Sequence, residues 1–153
     1  MSETNKDIAV AFYKAVIEGR VEDAFRLYAV PTYRQHNPLI EDGMEGLRKI
    51  VAWLTDARCE IKRVFADGDY VIIHSHWHGL SDNPRGEAVV DIFRLEGGKV
   101  LEHWDVIQPI PGRGRPTPIR CSRLRRTSMS GYVLRASRDA IRAAAHRGGA
   151  PIA

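Results

Sequence analysis

The spacing of hydrophobic positions changes partway along this chain. In the first part, apolar side chains recur every three or four residues, which predicts helices; this spacing covers residues 4–18, 21–28 and 44–56. In the second part they alternate with polar side chains, which predicts strands; this alternation covers residues 58–66, 70–79, 88–95 and 100–107. The order predicts an α+β fold, with about three N-terminal helices packed on a curved antiparallel meander.

Local signals mark several boundaries of these elements. Thr4 and Asp7 have the spacing of a capping box at the start of the first helix, and Gly19 follows its end. Asp67-Gly68 predicts a turn between the first two strands. The segment 96–99, Glu-Gly-Gly-Lys, predicts a hairpin between the last two.

The register of that hairpin decides which side chains share a face. A three-residue loop, 96–98, would place Asp91 opposite His103 and Asp105 diagonally on the same face. A two-residue loop would turn Asp105 to the other face, because a slip of one residue reverses every side chain. We predict the three-residue loop, since it gathers the polar groups on one face.

The two faces of the predicted hairpin have different chemistry. One combines apolar walls with convergent polar groups, as ligand pockets do: Val89, Asp91, Phe93, Leu95, Leu101, His103, Asp105 and Ile107. The other is too apolar to face water alone: Val90, Ile92, Arg94, Glu102, Trp104 and Val106. We therefore expect a homodimer that pairs through the sheet.

Charge divides the chain into two parts that we expect to behave differently. The formal net charge is +4, but residues 112–153 hold ten arginines and one acid, so residues 1–111 are acidic. We predict one domain, 1–111, and an irregular basic tail, 112–153. The tail is either a disordered arm or the product of a reading frame that shifted near Pro111. Nucleic acid is not an expected partner of the acidic body.

Composition also bears on compartment and partners. No apolar run is long enough to span a membrane, and the polar N-terminus lacks a signal-peptide core, so we expect a cytoplasmic protein. Cys59 and Cys121 lie far apart without metal-ligand spacing, which indicates free thiols. We expect no cofactor.

Three residues are candidate catalytic groups. Asp105 and Asp91 interrupt apolar strands, where an unpaired carboxylate is costly, and a carboxylate in an apolar pocket suits proton transfer. His36 precedes the third helix, where its imidazole could polarise a carbonyl. Each has a structural alternative: a solvent-facing acid, an ion pair of Asp91 with Arg34, or a satisfied loop histidine.

Further residues are expected to line the substrate site. They are Tyr33, Asn37, Trp53, His74, His76, Phe93 and His103. His74, His76 and His78 alternate on one strand, which is compatible with a metal site. A cupin-type pair would need a nearby glutamate and a second histidine motif, and both are missing here, so we predict no metal.

Four motifs together resemble a known family: YRQHNP, DGMEGLRKIV, HSHWH and VVDIFRLEGGKVLEHWDVIQP. They resemble the SnoaL-like polyketide cyclase group of the nuclear-transport-factor-2-like superfamily, and within it the predicted aldol-condensation-catalysing subset. The resemblance covers residues 5–111. It implies a cone of three helices wrapped by a curved sheet, a dimer, and Asp105 as general acid/base. Asp91 stands where the characterised cyclases have a histidine.

The resulting hypothesis is a cofactor-independent cyclase or isomerase, of the lyase or isomerase class. It would act by acid/base catalysis on a small apolar carbonyl compound, through aldol-type cyclisation or isomerisation. Epoxide hydrolase-like activity and a non-catalytic ligand-binding module are the alternatives, because one fold supports many functions.

Overall fold

The computed structural model describes residues 4–54, 56–112 and 133–135. The helices are α1 (Asn5–Ile17), α2 (Val21–Tyr28) and α3 (Gly43–Trp53). The strands are β1 (Ala29–Gln35), β2 (Arg58–Asp67), β3 (Tyr70–His78), β4 (Glu87–Glu96), β5 (Lys99–Pro109) and β6 (Val133–Arg135). Three helices packed on one open sheet confirm the predicted α+β class.

The sheet is mixed, with the order β1-β5-β4-β3-β2-β6. Strands β2 to β5 form the predicted antiparallel meander. At one edge β1 runs parallel to β5, and at the other β6 pairs antiparallel with β2. Apart from residues 133–135, the predicted basic tail beyond Gly112 lies outside the described residues, so the domain boundary stays a prediction.

The first helix is formed and oriented as its sequence pattern predicts. The Thr4 side chain accepts a hydrogen bond from the Asp7 backbone and the Asp7 side chain accepts from Thr4, which completes the capping box. Its apolar stripe packs on the sheet, where the ring of Phe12 meets the ring of Phe93 edge-on, with centroids 5.9 Å apart. One face of the sheet is thus covered by helix.

The β4–β5 hairpin corrects the predicted register. Its loop has two residues, Gly97 and Gly98, both at positive φ (57° and 74°), as a tight hairpin turn of the type I′ kind requires. Arg94 pairs with Glu102 and Leu95 pairs with Val100, so a bulge leaves Leu101 without a partner on β4. The three-residue loop was therefore wrong, but the extra residue in β5 restores the predicted face of Asp105.

Strand β1 was not predicted. The segment after α2 contains Pro31, which lacks a ladder donor, and its pairing with β5 shifts register between Ala29 and Arg34. Tyr33 and Gln35 nevertheless alternate toward the buried side. Because β1 lies at the edge of the sheet beside β5, it brings these side chains to the hairpin.

Candidate functional site

The paired strands β4 and β5 bring two aspartates and a histidine together. Asp91 lies directly opposite Asp105, and His103 lies opposite Phe93, two positions along. Asp91 and His103 are 5% and 7% exposed, whereas Asp105 is only partly buried. Because side chains alternate along a strand, all three project toward the helices. The predicted grouping on one face is confirmed, although Asp91 faces Asp105 and not His103.

The His103 ring bonds at both of its nitrogens. Nε2 lies 3.1 Å from Oδ1 of Asp91, and Nδ1 lies 3.0 Å from Oε1 of Gln35. The ring stacks on Phe93 at a centroid distance of 4.7 Å, so the predicted binding residue Phe93 supports the histidine. His103 is therefore held in position by two polar contacts and one aromatic contact.

Asp105 is held from the segment that follows β1. Nδ2 of Asn37 donates to Oδ1 and Oδ2 of Asp105, at 2.9 and 2.8 Å. Oδ1 of Asn37 accepts the backbone N–H of Leu39 at 2.8 Å, which fixes which end of the amide faces Asp105. Asn37, predicted as a binding residue, thus orients the carboxylate that is the candidate catalytic group.

A buried polar network lies deeper beneath the sheet. Nε1 of Trp77 donates to Oη of Tyr13 and to Oγ of Ser75, both at 3.0 Å, and these two oxygens lie 3.1 Å apart. Burial, and then the nearby Asp91 carboxylate, raises the pKa of Tyr13 well above its usual value. Oδ2 of Asp91 is buried without a hydrogen-bond partner among the described residues. Oε2 of Glu87, outside this cluster, is the other such oxygen among the described residues.

The Cys59 thiol belongs to the same network and is expected to be unreactive. Its Sγ lies 3.7 Å from Oη of Tyr13, and burial raises the pKa of Cys59 to about 12. We expect a Cys121→Ser chain, in which Cys59 is the only thiol, to resist a disulfide reagent at pH 8 until denaturant is added. A native protein that reacts within seconds would contradict this burial.

His36 lies on the opposite face of β5 from His103. Its Nε2 bonds to Oε2 of Glu102 at 2.8 Å, and its ring stacks on Trp104 with centroids 4.5 Å apart. Glu102 also pairs with Arg94. Glu102 and Trp104 alternate with the inward residues of β5, so the structure does not bring His36 to the two aspartates. His36 is instead a loop histidine whose hydrogen bond is satisfied by Glu102.

Three predicted binding residues also lie elsewhere. His74 and His76 pair with Val90 and Ala88, so they occupy the outer face of the sheet, and Trp53 at the end of α3 is 72% exposed. Tyr33 does lie inward: it is 3% exposed, and its Oη accepts Nε2 of Gln35 at 3.3 Å.

A described cavity opens at the other end of the sheet. It is an open pocket of about 180 Å³, lined by residues of β2 and β3: Arg58, Cys59, Glu60, His76 and His78. It does not adjoin Asp105. The predicted apolar hollow beneath Asp105 therefore stays a prediction.

Asp91, His103 and Asp105 also lie close enough together to be possible metal ligands. One donor atom each of Asp91, His103 and Asp105 lies within 4.8 Å of the others. Hydrogen bonds already occupy both nitrogens of His103, and Asn37 occupies both oxygens of Asp105. A histidine that binds a metal ion through one nitrogen makes this kind of contact through the other, so the expectation of no metal stays a prediction.

Sequence reasoning missed Gln35, Tyr13, Ser75 and Trp77. The alternation in HSHWH contained a signal for two of them, because histidines on one face of β3 place Ser75 and Trp77 on the other. Gln35 and Tyr13 reach the site only through packing between distant segments.

The fold and this cluster define a class: a small α+β domain with an acid–histidine pair on the helix-covered face of its sheet. The chain belongs to the SnoaL-like domain family, whose model matches residues 9–103. Among the described residues, no helix is long and apolar enough to cross a membrane.

Solved structures share the fold at low sequence identity. A candidate polyketide cyclase from Acidithiobacillus ferrooxidans has a TM-score of 0.57 and 23% identity, with 70% of this chain and 89% of that chain covered. An NTF2-like protein from Cytophaga hutchinsonii has 0.56 and 16%, covering 71% and 94%. A cystatin-fold protein from Novosphingobium aromaticivorans has 0.55 and 23%, covering 69% and 99%. No curated protein gives a significant match.

Proposed function

We propose that this chain is an enzyme that removes a proton α to the carbonyl of a small, apolar compound, with Asp105 as the base. One observation carries the proposal: Asp105 is the partly exposed member of a cluster whose other members are buried. It is held by Asn37 and lies beside the Asp91–His103 pair. A carboxylate positioned in this way can reach a substrate without having to reorient.

The proposed chemistry uses both halves of the cluster. The α-C–H bond breaks, its proton goes to a carboxylate oxygen of Asp105, and its electron pair moves to the carbonyl oxygen. The Asp91–His103 pair would stabilise that developing oxyanion with a hydrogen bond. Attack of the enolate on a second carbonyl gives aldol-type cyclisation, and return of the proton to another carbon gives isomerisation.

The test measures the first step without knowledge of the natural substrate. Small cyclic and aromatic ketones are incubated with the protein in D₂O, and α-deuterium incorporation is followed by mass spectrometry. We expect exchange above the buffer rate with at least one ketone, and loss of that exchange in Asp105→Asn. Saturable binding of the panel without any exchange would favour the binding module, and ¹⁸O uptake from water into an epoxide would favour a hydrolase.

We also propose that two copies of the chain pair through the outer face of the sheet. An apolar row crosses four strands there, formed by Phe65, Ile72, Ile92 and Trp104, with the first two 57% and 37% exposed. Val106, 62% exposed, lies beside it. Exposed apolar surface of this kind is typical of an interface, and pairing would remove it from water.

Light scattering after gel filtration tests the pairing. We expect the mass of a dimer for the native chain and of a monomer for Ile72→Lys. Leu39→Lys is the matched control, since Leu39 is 88% exposed in the loop before α3 and is not part of that row. A native monomer at high concentration, or equal dissociation by both variants, would contradict the proposed interface.

A further inference from the structure

The orientation of the buried Gln35 side-chain amide indicates which nitrogen of His103 carries a proton. The backbone N–H of Asn37 lies 3.0 Å from one end of the Gln35 side chain. A backbone N–H can only donate, so that end is the oxygen Oε1, and the other end, Nε2, donates to Oη of Tyr33. Gln35 is 8% exposed, so water offers little competition for these bonds.

The same oxygen determines the protonation of the His103 ring. Nδ1 of His103 lies 3.0 Å from Oε1 of Gln35, which has no hydrogen to offer, so Nδ1 carries the proton of that bond. The other nitrogen, Nε2, then faces Oδ1 of Asp91 at 3.1 Å. A neutral ring facing an ionised carboxylate would oppose two lone pairs, so one further proton must lie between these atoms.

We propose that Gln35 is a positioning residue that holds His103 in its Nδ1-protonated form, so that His103 and Asp91 share one proton along the Nε2–Oδ1 contact. The pair is then neutral overall, which allows Asp105 to be ionised directly opposite Asp91 without a second uncompensated charge. This role of Gln35 rests on the proposed function, in which the Asp91–His103 pair gives a proton to the enolate oxygen and Asp105 removes the proton from the α-carbon.

The proton balance follows from this arrangement. When the enolate oxygen takes the shared proton, an O–H bond forms, the bond to Nε2 or Oδ1 breaks, and the pair is left with one negative charge. The proton that Asp105 took from carbon can return to carbon in an isomerisation, while the enol proton returns to the pair. No other reactant is needed.

Nuclear magnetic resonance of the ¹⁵N-labelled full chain tests the inference without turnover. Long-range ¹H–¹⁵N correlation spectra distinguish a protonated from an unprotonated ring nitrogen, and the His103 signals are assigned in the native chain by through-bond correlations from the His103 backbone. We expect a protonated Nδ1 in the native chain. In Gln35→Leu we expect its resonance to shift to the unprotonated range, because Nδ1 loses its acceptor and gives up its proton while Nε2 keeps the shared one. In Gln35→Glu, which keeps an acceptor for Nδ1, we expect the resonance to return to the protonated range.

The native spectrum alone can overturn the inference, so it does not depend on whether the variants fold. An unprotonated Nδ1 in the native chain would refute it, and so would a His103 signal that changes when a chelator is added, since a metal ion would then occupy the position of the shared proton. Loss of ketone exchange in Asp105→Asn is a separate result, so the proposed function and this inference can fail independently.

Discussion

Asp105→Asn is expected to lower the rate of α-proton exchange by about 10² to 10⁴-fold, the usual contribution of a positioned general base. Asparagine has nearly the shape of aspartate but cannot accept the proton. Its own Nδ2 would also face the donor Nδ2 of Asn37, which now bonds to both oxygens of Asp105. The measurement is the initial exchange rate in D₂O with a ketone that the native chain turns over.

Asp82→Asn provides the matched control for this prediction. Asp82 is exposed in the loop between β3 and β4, so the same chemical change should leave the exchange rate unaltered. Circular dichroism and the denaturation midpoint should show that both variants remain folded. An exchange rate in Asp105→Asn equal to that of the native chain would show that Asp105 is not the catalytic base.

Asp91→Ala is expected to lower the free energy of unfolding by about 3 kcal/mol, because removing one member of a buried pair leaves the other without compensation. Nε2 of His103 would lose its contact with the Asp91 carboxylate while remaining buried. Asp91→Asn should cost less, about 1 kcal/mol, since the amide can donate to Nε2 in place of the shared proton. Urea denaturation at neutral pH measures both, provided the slope with denaturant is unchanged.

A surface substitution separates this effect from the general cost of losing an acid. Asp82→Ala should change the free energy of unfolding by less than about 0.5 kcal/mol, as exposed sites usually do. Equal costs for the alanine and asparagine variants at Asp91 would mean that packing, and not the contact with His103, accounts for the stability of this position.

The helices and the meander could be predicted because their information is local. A capping box at Thr4, helical spacing of apolar residues and a glycine at position 19 are sufficient to delimit α1. Alternation along β5 similarly predicted that His103 and Asp105 share a face. These features depend on residues close in sequence, so tertiary packing had little scope to change them.

The parts that could not be predicted involve a bulge or distant segments. Nothing in the run from Lys99 to Glu102 marks Leu101 as the residue left out of the ladder, and that single residue decides the facing partner of Asp91. His36 was expected at the site, yet β1 turns it outward while its neighbours Gln35 and Asn37 turn inward. Adjacent positions of one extended segment thus acquired opposite roles.

The sequence by itself determined the family, the helices, the four-strand meander and the face that His103 shares with Asp105, because periodicity and local capping specify them. The bulge at Leu101 brought Asp91 to that face as well. Only the tertiary structure decided how those groups are bonded. Gln35 and Asn37 reach His103 and Asp105 across 68 positions of sequence, through a parallel pairing of β1 with β5 that has no local signature. Contacts of this kind arise from the packing of whole elements, and they orient the candidate acid and base.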